Sequence, residues 1–173
     1  MIRHLVLLGL LGMCAPALAA DDALSPAANS AFLAANAKKP GTVSRPSGLQ
    51  YRVVRAGTGK RPTGNDVARV AYAIHLINGA LVDSTAPVLP AALQVSTISL
   101  AGLAEAIPLM HEGDRWQLVI PPNLGYGVRG SPDGSIPPNQ TLVFDIKLLE
   151  TTPAPRRGDK DYRPDPGDKD EQQ

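Results

Sequence analysis

The chain has 173 residues, enough for one globular domain with segments to spare at either end. Hydrophobic residues make up 43%, which supplies a core, while a formal charge of +1 is too near balance to favour nucleic acid or an anionic membrane surface. With 17 prolines and 16 glycines, a loop-rich β or α+β domain is favoured over a helical bundle.

The start of the chain reads as a leader. Arg3 and His4 give a short polar opening, Leu5 to Ala15 is apolar, and Ala17-Leu18-Ala19 has the small-x-small form of a cleavage site, with Asp21 and Asp22 after it. Residues 1–19 are therefore predicted to be a signal peptide, which places the mature chain in the periplasm or outside the cell. The apolar run is too short for a membrane span. The alternatives are a retained anchor helix and a lipoprotein joined through Cys14, where Met13 stands in place of the expected small residue. Cys14 is the only cysteine, so the mature chain would hold no disulfide, thiolate metal site or cysteine nucleophile.

Asp21 to Lys39, rich in Ala, Ser and Asn and carrying Phe32 and Leu33, predicts a short helix ended by Pro40-Gly41. A linker follows, so that residues 20–46 form an extension ahead of the main domain. From Leu49 the pattern changes to short strands: Leu49, Tyr51 and Val53 alternate, and Gly57, Gly59, Pro62 and Gly64 mark turns. Val70, Tyr72, Ile74 and Leu76 share one strand face, with small Ala71 and Ala73 opposite. Asn78-Gly79 signals a hairpin, and Leu81-Val82 begins its return strand. Leu100, Leu103, Ile107 and Met110 recur at helical spacing; Pro108 keeps that helix short and Gly113 stops it. Trp116, Leu118 and Ile120 alternate, a Pro/Gly loop spans Pro121 to Pro138, and Leu142, Phe144, Ile146 and Leu148 line a final strand. The sum is an α+β domain over residues 47–150, a half-open antiparallel β-sheet wrapped around one short α-helix. Residues 151–173 are predicted to be a disordered charged tail.

The sequence has no Gly-x-Ser-x-Gly, His-Glu-x-x-His, P-loop or Cys-x-x-Cys. His75 and His111 read as surface or structural residues, and the scattered acids form no metal cage, so neither a metal nor a cofactor is predicted. By periodicity alone, Tyr72, Leu103, Ile136 and Phe144 are core residues and Asp83 is a turn or cap residue. Tyr126 is different: a glycine-flanked loop has little structural need of an aromatic.

Two segments carry a further signal. Ile120-Pro-Pro-Asn-Leu-Gly-Tyr126-Gly and Ile136-Pro-Pro-Asn-Gln-Thr-Leu-Val-Phe144-Asp145 together resemble the FKBP-type peptidyl-prolyl cis–trans isomerases. Ser47-Gly-Leu-Gln-Tyr51, Val70-Ala-Tyr72, Asn78-Gly79 and Val82-Asp83-Ser84-Thr85 extend the resemblance upstream. Phe32-Leu33-Ala-Ala-Asn36 with Lys39-Pro-Gly41 is similar to the macrophage infectivity potentiator-like group of periplasmic isomerases, so the resemblance covers Phe32 to Leu149.

What the resemblance implies is an isomerase of X–Pro bonds acting on unfolded or folding proline-containing polypeptides, with no cofactor. Tyr72 and Phe144 would line the floor and wall of an apolar cup. Asp83 would accept a hydrogen bond in it, and Tyr126 would donate its hydroxyl to a substrate carbonyl. Leu100 would offer its backbone N–H, and Ile136 would flank the proline ring. Val82 and Leu103 stand where the family usually has Phe and Trp, which implies a less aromatic cup, lower activity and weak binding of macrolide inhibitors. Such relatives often carry a long N-terminal dimerisation region; the stub here favours a monomer. The alternative reading is a non-enzymatic chaperone or peptide-binding module that uses the same groove.

Overall fold

In the computed structural model, the described residues are 22–85, 89–155 and 160. The expected signal peptide lies outside them. Each period-two run of the sequence becomes a strand: β2 (Gln50–Arg55), β3 (Asp66–Leu76), β4 (Leu81–Ser84), β6 (Arg115–Ile120) and β7 (Leu142–Pro153). Two short strands join them, β1 (Val43–Ser44) and β5 (Ala91–Gln94). All pairings are antiparallel, in the order β1-β2-β6-β7-β3-β4, with β5 also on β3. The Asn78-Gly79 hairpin forms as expected, with Gly79 at φ 86° and Ala80 N–H donating to the Asn78 side chain.

The apolar alternation gives the sheet one inner face. Val70, Ile74 and Leu76 on β3, Trp116, Leu118 and Ile120 on β6, and Leu142, Phe144, Ile146 and Leu148 on β7 are all buried there. Against them packs α2 (Ala101–Ala106), with Leu103 and Ala106 facing in, followed by a 3-10 turn at Ile107–Leu109 and fully buried Met110. Pro108 stands in the first turn of that 3-10 segment, which explains why the helical periodicity outruns the α-helix. A second helix, α1 (Pro26–Ala37), is N-capped by Ser25 and rests against Gln50 of β2 and the Gln140-Thr141 segment before β7.

Two expectations need correction. The tail does not begin at Thr151, because β7 continues to Pro153 with Ala68, Val67 and Asp66 opposite Thr151, Thr152 and Pro153. Apolar alternation stops at Leu149, but ladder pairing needs only backbone groups, and β3 extends far enough to supply them. Thr151 N–H also donates to Glu112 Oε1 (2.7 Å) and Ala154 N–H to the Asn65 carbonyl (2.8 Å). The rest of the expected tail, apart from 154–155 and 160, lies outside the described residues. Second, the linker contains β1, a short edge segment whose backbone pairs without an alternating side-chain code, as β5 does against β3.

Gly102 sets how closely α2 approaches the sheet. A Cβ there would lie 2.6 Å from Ile120 Cγ2. Gly102→Ala should therefore lower stability by about 1–3 kcal/mol through overpacking, although alanine is the better helix former by about 1 kcal/mol. A shift of the urea midpoint to lower concentration checks this; a higher midpoint would show that α2 can back away freely.

Candidate active site

Tyr72 projects from the inner face of β3 and Phe144 from β7, their ring centroids 6.1 Å apart at 50°. The Tyr72 backbone is pinned beyond the end of β4: Thr85 N–H donates to the Tyr72 carbonyl (3.0 Å), and Tyr72 N–H donates to Thr85 Oγ1 (3.0 Å). On β4 the register passes from Ile74↔Asp83 to His75↔Leu81 and skips Val82. This bulge turns adjacent residues toward the same region. Val82 packs on the core cluster, and the Asp83 carboxylate accepts from the Tyr72 hydroxyl at 2.8 Å.

That phenol is pushed up to about 12, first by burial, then by the hydrogen bond and charge of Asp83, with a smaller contribution from the nearby Tyr126. All of these causes favour the neutral, donating form.

Leu103, Ile136 and Phe144 belong to the buried cluster, and Tyr72, Val82 and Leu100 pack against it half-buried. Leu100 is the N-cap of α2, where its carbonyl accepts from the Leu103 and Ala104 N–H groups (2.9 Å each). Its own N–H makes no hydrogen bond to another of the described residues. Tyr126 sits between two 3-10 turns, Pro122–Leu124 and Gly127–Arg129, and keeps 37% of its surface exposed. Gly127, at φ 60°, lets the chain turn sharply after it.

The loop that brings in Ile136 is closed by a polar clasp. Ser131 N–H donates to the Ile136 carbonyl and Ile136 N–H to Ser131 Oγ, both at 2.9 Å. Asp133 accepts from the Ser131 and Ser135 hydroxyls, which hold its carboxyl below the usual range. Gly130 is required here, since a Cβ would meet the Ile136 carbonyl at 2.4 Å.

The core reading from periodicity and the cup assigned by resemblance concern overlapping residues: Leu103, Ile136 and Phe144 are buried, Tyr72 and Val82 pack half-buried against that cluster, Asp83 joins it through the Tyr72 hydroxyl, and Tyr126 is exposed on its turn. Sequence reasoning missed Thr85 and Ser131 as supports; the only available signal was a hydroxyl residue just past a strand and another beside a glycine. His111 is structural: its N–H donates to buried Asp114 (2.7 Å), and its Nε2 accepts from Arg61 Nε (2.9 Å).

The family model for FKBP-type peptidyl-prolyl cis-trans isomerases matches residues 59–149, which contain every residue just placed in the site. The chain belongs to this family. A second family model, for the domain amino terminal to FKBP-type peptidyl-prolyl isomerase, matches residues 17–53. The chain is 46% identical over 125 residues to the outer membrane protein MIP of Legionella longbeachae, covering 72% of this chain and 53% of that one. It is also 46% identical over 120 residues to the FKBP-type 22 kDa peptidyl-prolyl cis-trans isomerase of Escherichia coli, covering 69% and 57%. The crystal structure of FkpA from E. coli superposes with a TM-score of 0.70 at 37% identity, over 75% of this chain and 60% of that one. The chain spans little more than half the length of these curated relatives. Among the described residues no helix is long and apolar enough to cross a membrane.

The Tyr72–Asp83 pair of this FKBP-type domain can be followed by titration. Because the folded pKa of about 12 lies above the ordinary 10, this phenol favours the fold below pH 10, and its contribution is lost as pH rises toward 12. Ultraviolet titration should show a tyrosine midpoint near 12 for Tyr72, with Asp83→Asn moving that midpoint down. An unmoved midpoint would mean that Asp83 does not contribute.

Proposed function

We propose that the protein is a peptidyl-prolyl cis–trans isomerase acting on exported, proline-containing polypeptides as they fold. The observation that carries this reading is Tyr72, which packs on the apolar cluster beside Phe144, hydrogen-bonds Asp83 and lies near Tyr126, all within the family-matched stretch. Export is supported by the leader-like opening and by the likeness to a relative named an outer membrane protein.

The chemistry needs no nucleophile. Rotation about X–Pro meets a barrier of about 18–20 kcal/mol, which makes the spontaneous change take tens to hundreds of seconds. In the twisted transition state amide resonance is lost, and the carbonyl oxygen carries less negative charge than in the planar amide. An apolar cup stabilises that form relative to the water-solvated planar one. Phe144, Ile136, Leu103 and Val82 supply the apolar lining. The Tyr126 hydroxyl and the Leu100 N–H orient the substrate backbone. Asp83, held by Tyr72, fixes the polar edge of the cup.

Isomerisation of a short proline peptide by the purified protein tests the reading. Acceleration supports it; no acceleration together with suppressed aggregation of an unfolded client would replace it with a non-enzymatic chaperone, which the reduced aromatic lining at Val82 and Leu103 would suit. Tyr126→Phe is expected to lower kcat/KM about tenfold, the loss of one substrate hydrogen bond, with Tm unchanged. Asp83→Ala should also slow turnover while leaving the protein folded. Normal turnover in both variants would mean that the cup lies elsewhere. Leu103→Trp should tighten binding of proline ligands several-fold, read by the quenching of the new tryptophan. Weaker binding with a lower Tm would show that the core is packed around leucine.

A further inference from the structure

Helix α1 buries two asparagines, Asn29 and Asn36, where an amphipathic helix would ordinarily bury apolar side chains. A buried amide is costly unless its polar atoms are paired, and those of Asn29 are. Its Oδ1 accepts from Thr141 N–H (2.7 Å), and its Nδ2 faces the carbonyls of Leu24 and Ser25 (3.1 Å each) and Gln140 Oε1 (3.3 Å). Gln140, also buried, donates through Nε2 to the carbonyls of Leu24 (3.2 Å) and Pro138 (3.0 Å). The backbone donor at Thr141 and the carbonyls opposite Nδ2 fix which way the Asn29 amide faces.

The segment so gripped holds the Tyr126 turn from both sides. Asn139 N–H donates to the Gly127 carbonyl at 2.8 Å, just after Tyr126. Leu142 Cδ1 lies 3.5 Å from the Cβ position of Gly125, just before it. Asn139 itself has φ 59°, a left-handed conformation that a side-chain-bearing residue keeps when its surroundings impose it. Asn36 differs: it donates to Gln50 Oε1 (2.9 Å) and docks the far end of α1 on β2.

We infer that Asn29, on the N-terminal helix, is a positioning residue for the isomerase site: through Gln140 and Thr141 it fixes the segment on which the Tyr126 turn rests. Its activity readout rests on the isomerase reading above. The test compares Asn29→Ala with Asn36→Ala in the full chain, measuring kcat/KM on a proline peptide, Tm, and the NMR amide positions of Gly125, Gly127 and Asn139. Both variants should lower Tm. Only Asn29→Ala should lower kcat/KM, about fivefold, and displace the three amides. Gln140→Ala should reproduce that loss, and the double variant Asn29→Ala/Gln140→Ala should add nothing to it, because the two side chains act through one network. Equal loss of kcat/KM in Asn36→Ala, or unmoved Gly127 and Asn139 amides in Asn29→Ala, overturns the inference. If Asn29→Ala does not fold, Gln140→Ala decides by the same amides and rate. If the unmodified protein shows no isomerase activity, the amide displacements still decide whether the brace exists, so the two failures are distinguishable.

Discussion

The ladder between β3 and β7 is the constraint on which the rest depends. It runs from Asp66↔Pro153 to Leu76↔Leu142 with a single register shift, between Arg69 and Val70. A slip of one residue in this pairing would turn the inner set of one strand, Val70 and Ile74 of β3 or Phe144 and Ile146 of β7, away from α2. It would also part Tyr72 from Phe144, because those rings meet only by standing on the same face of neighbouring strands. The core and the candidate site are thus fixed by the same register.

Around that ladder, a few polar groups hold the irregular parts. Asp114, buried at a chain reversal, accepts from Gly57 and His111 N–H groups, and Gly57 leaves no room for a side chain against the Glu112 carbonyl. Glu112 reaches across to the Thr151 backbone. The Ser131–Asp133–Ser135 clasp does the same for the loop that delivers Ile136. A loop can present Tyr126 at the surface because its ends and middle are tied in this way.

Much of this was legible in the sequence, for identifiable reasons. Period-two alternation is a direct image of a sheet with one buried face, so β3, β6 and most of β7 could be read from Val70, Trp116 and Leu142 onward. Asn78-Gly79 marked its hairpin because few other residues adopt a positive φ. The same code is silent where pairing is carried by backbone alone, which hid β1, β5 and the last residues of β7. In the site, Tyr126 stood out as an aromatic in a glycine-rich loop, whereas Leu103 and Ile136 are true core residues that periodicity cannot separate from a binding surface. The bulge at Val82 and the Asn29–Thr141 bond were invisible because they join residues whose meeting depends on the completed sheet.

The order of the strands in space has a further consequence. β7 lies between β6 and β3, yet it is the last of the seven to be synthesised. Until it emerges from the ribosome, β3 and β6 have no common partner, and the face meant for α2 stays half-built. Pairings this distant along the chain form slowly because loop closure must be paid before contacts reward it. A nascent chain of this topology therefore cannot complete its sheet until its last strand has been made.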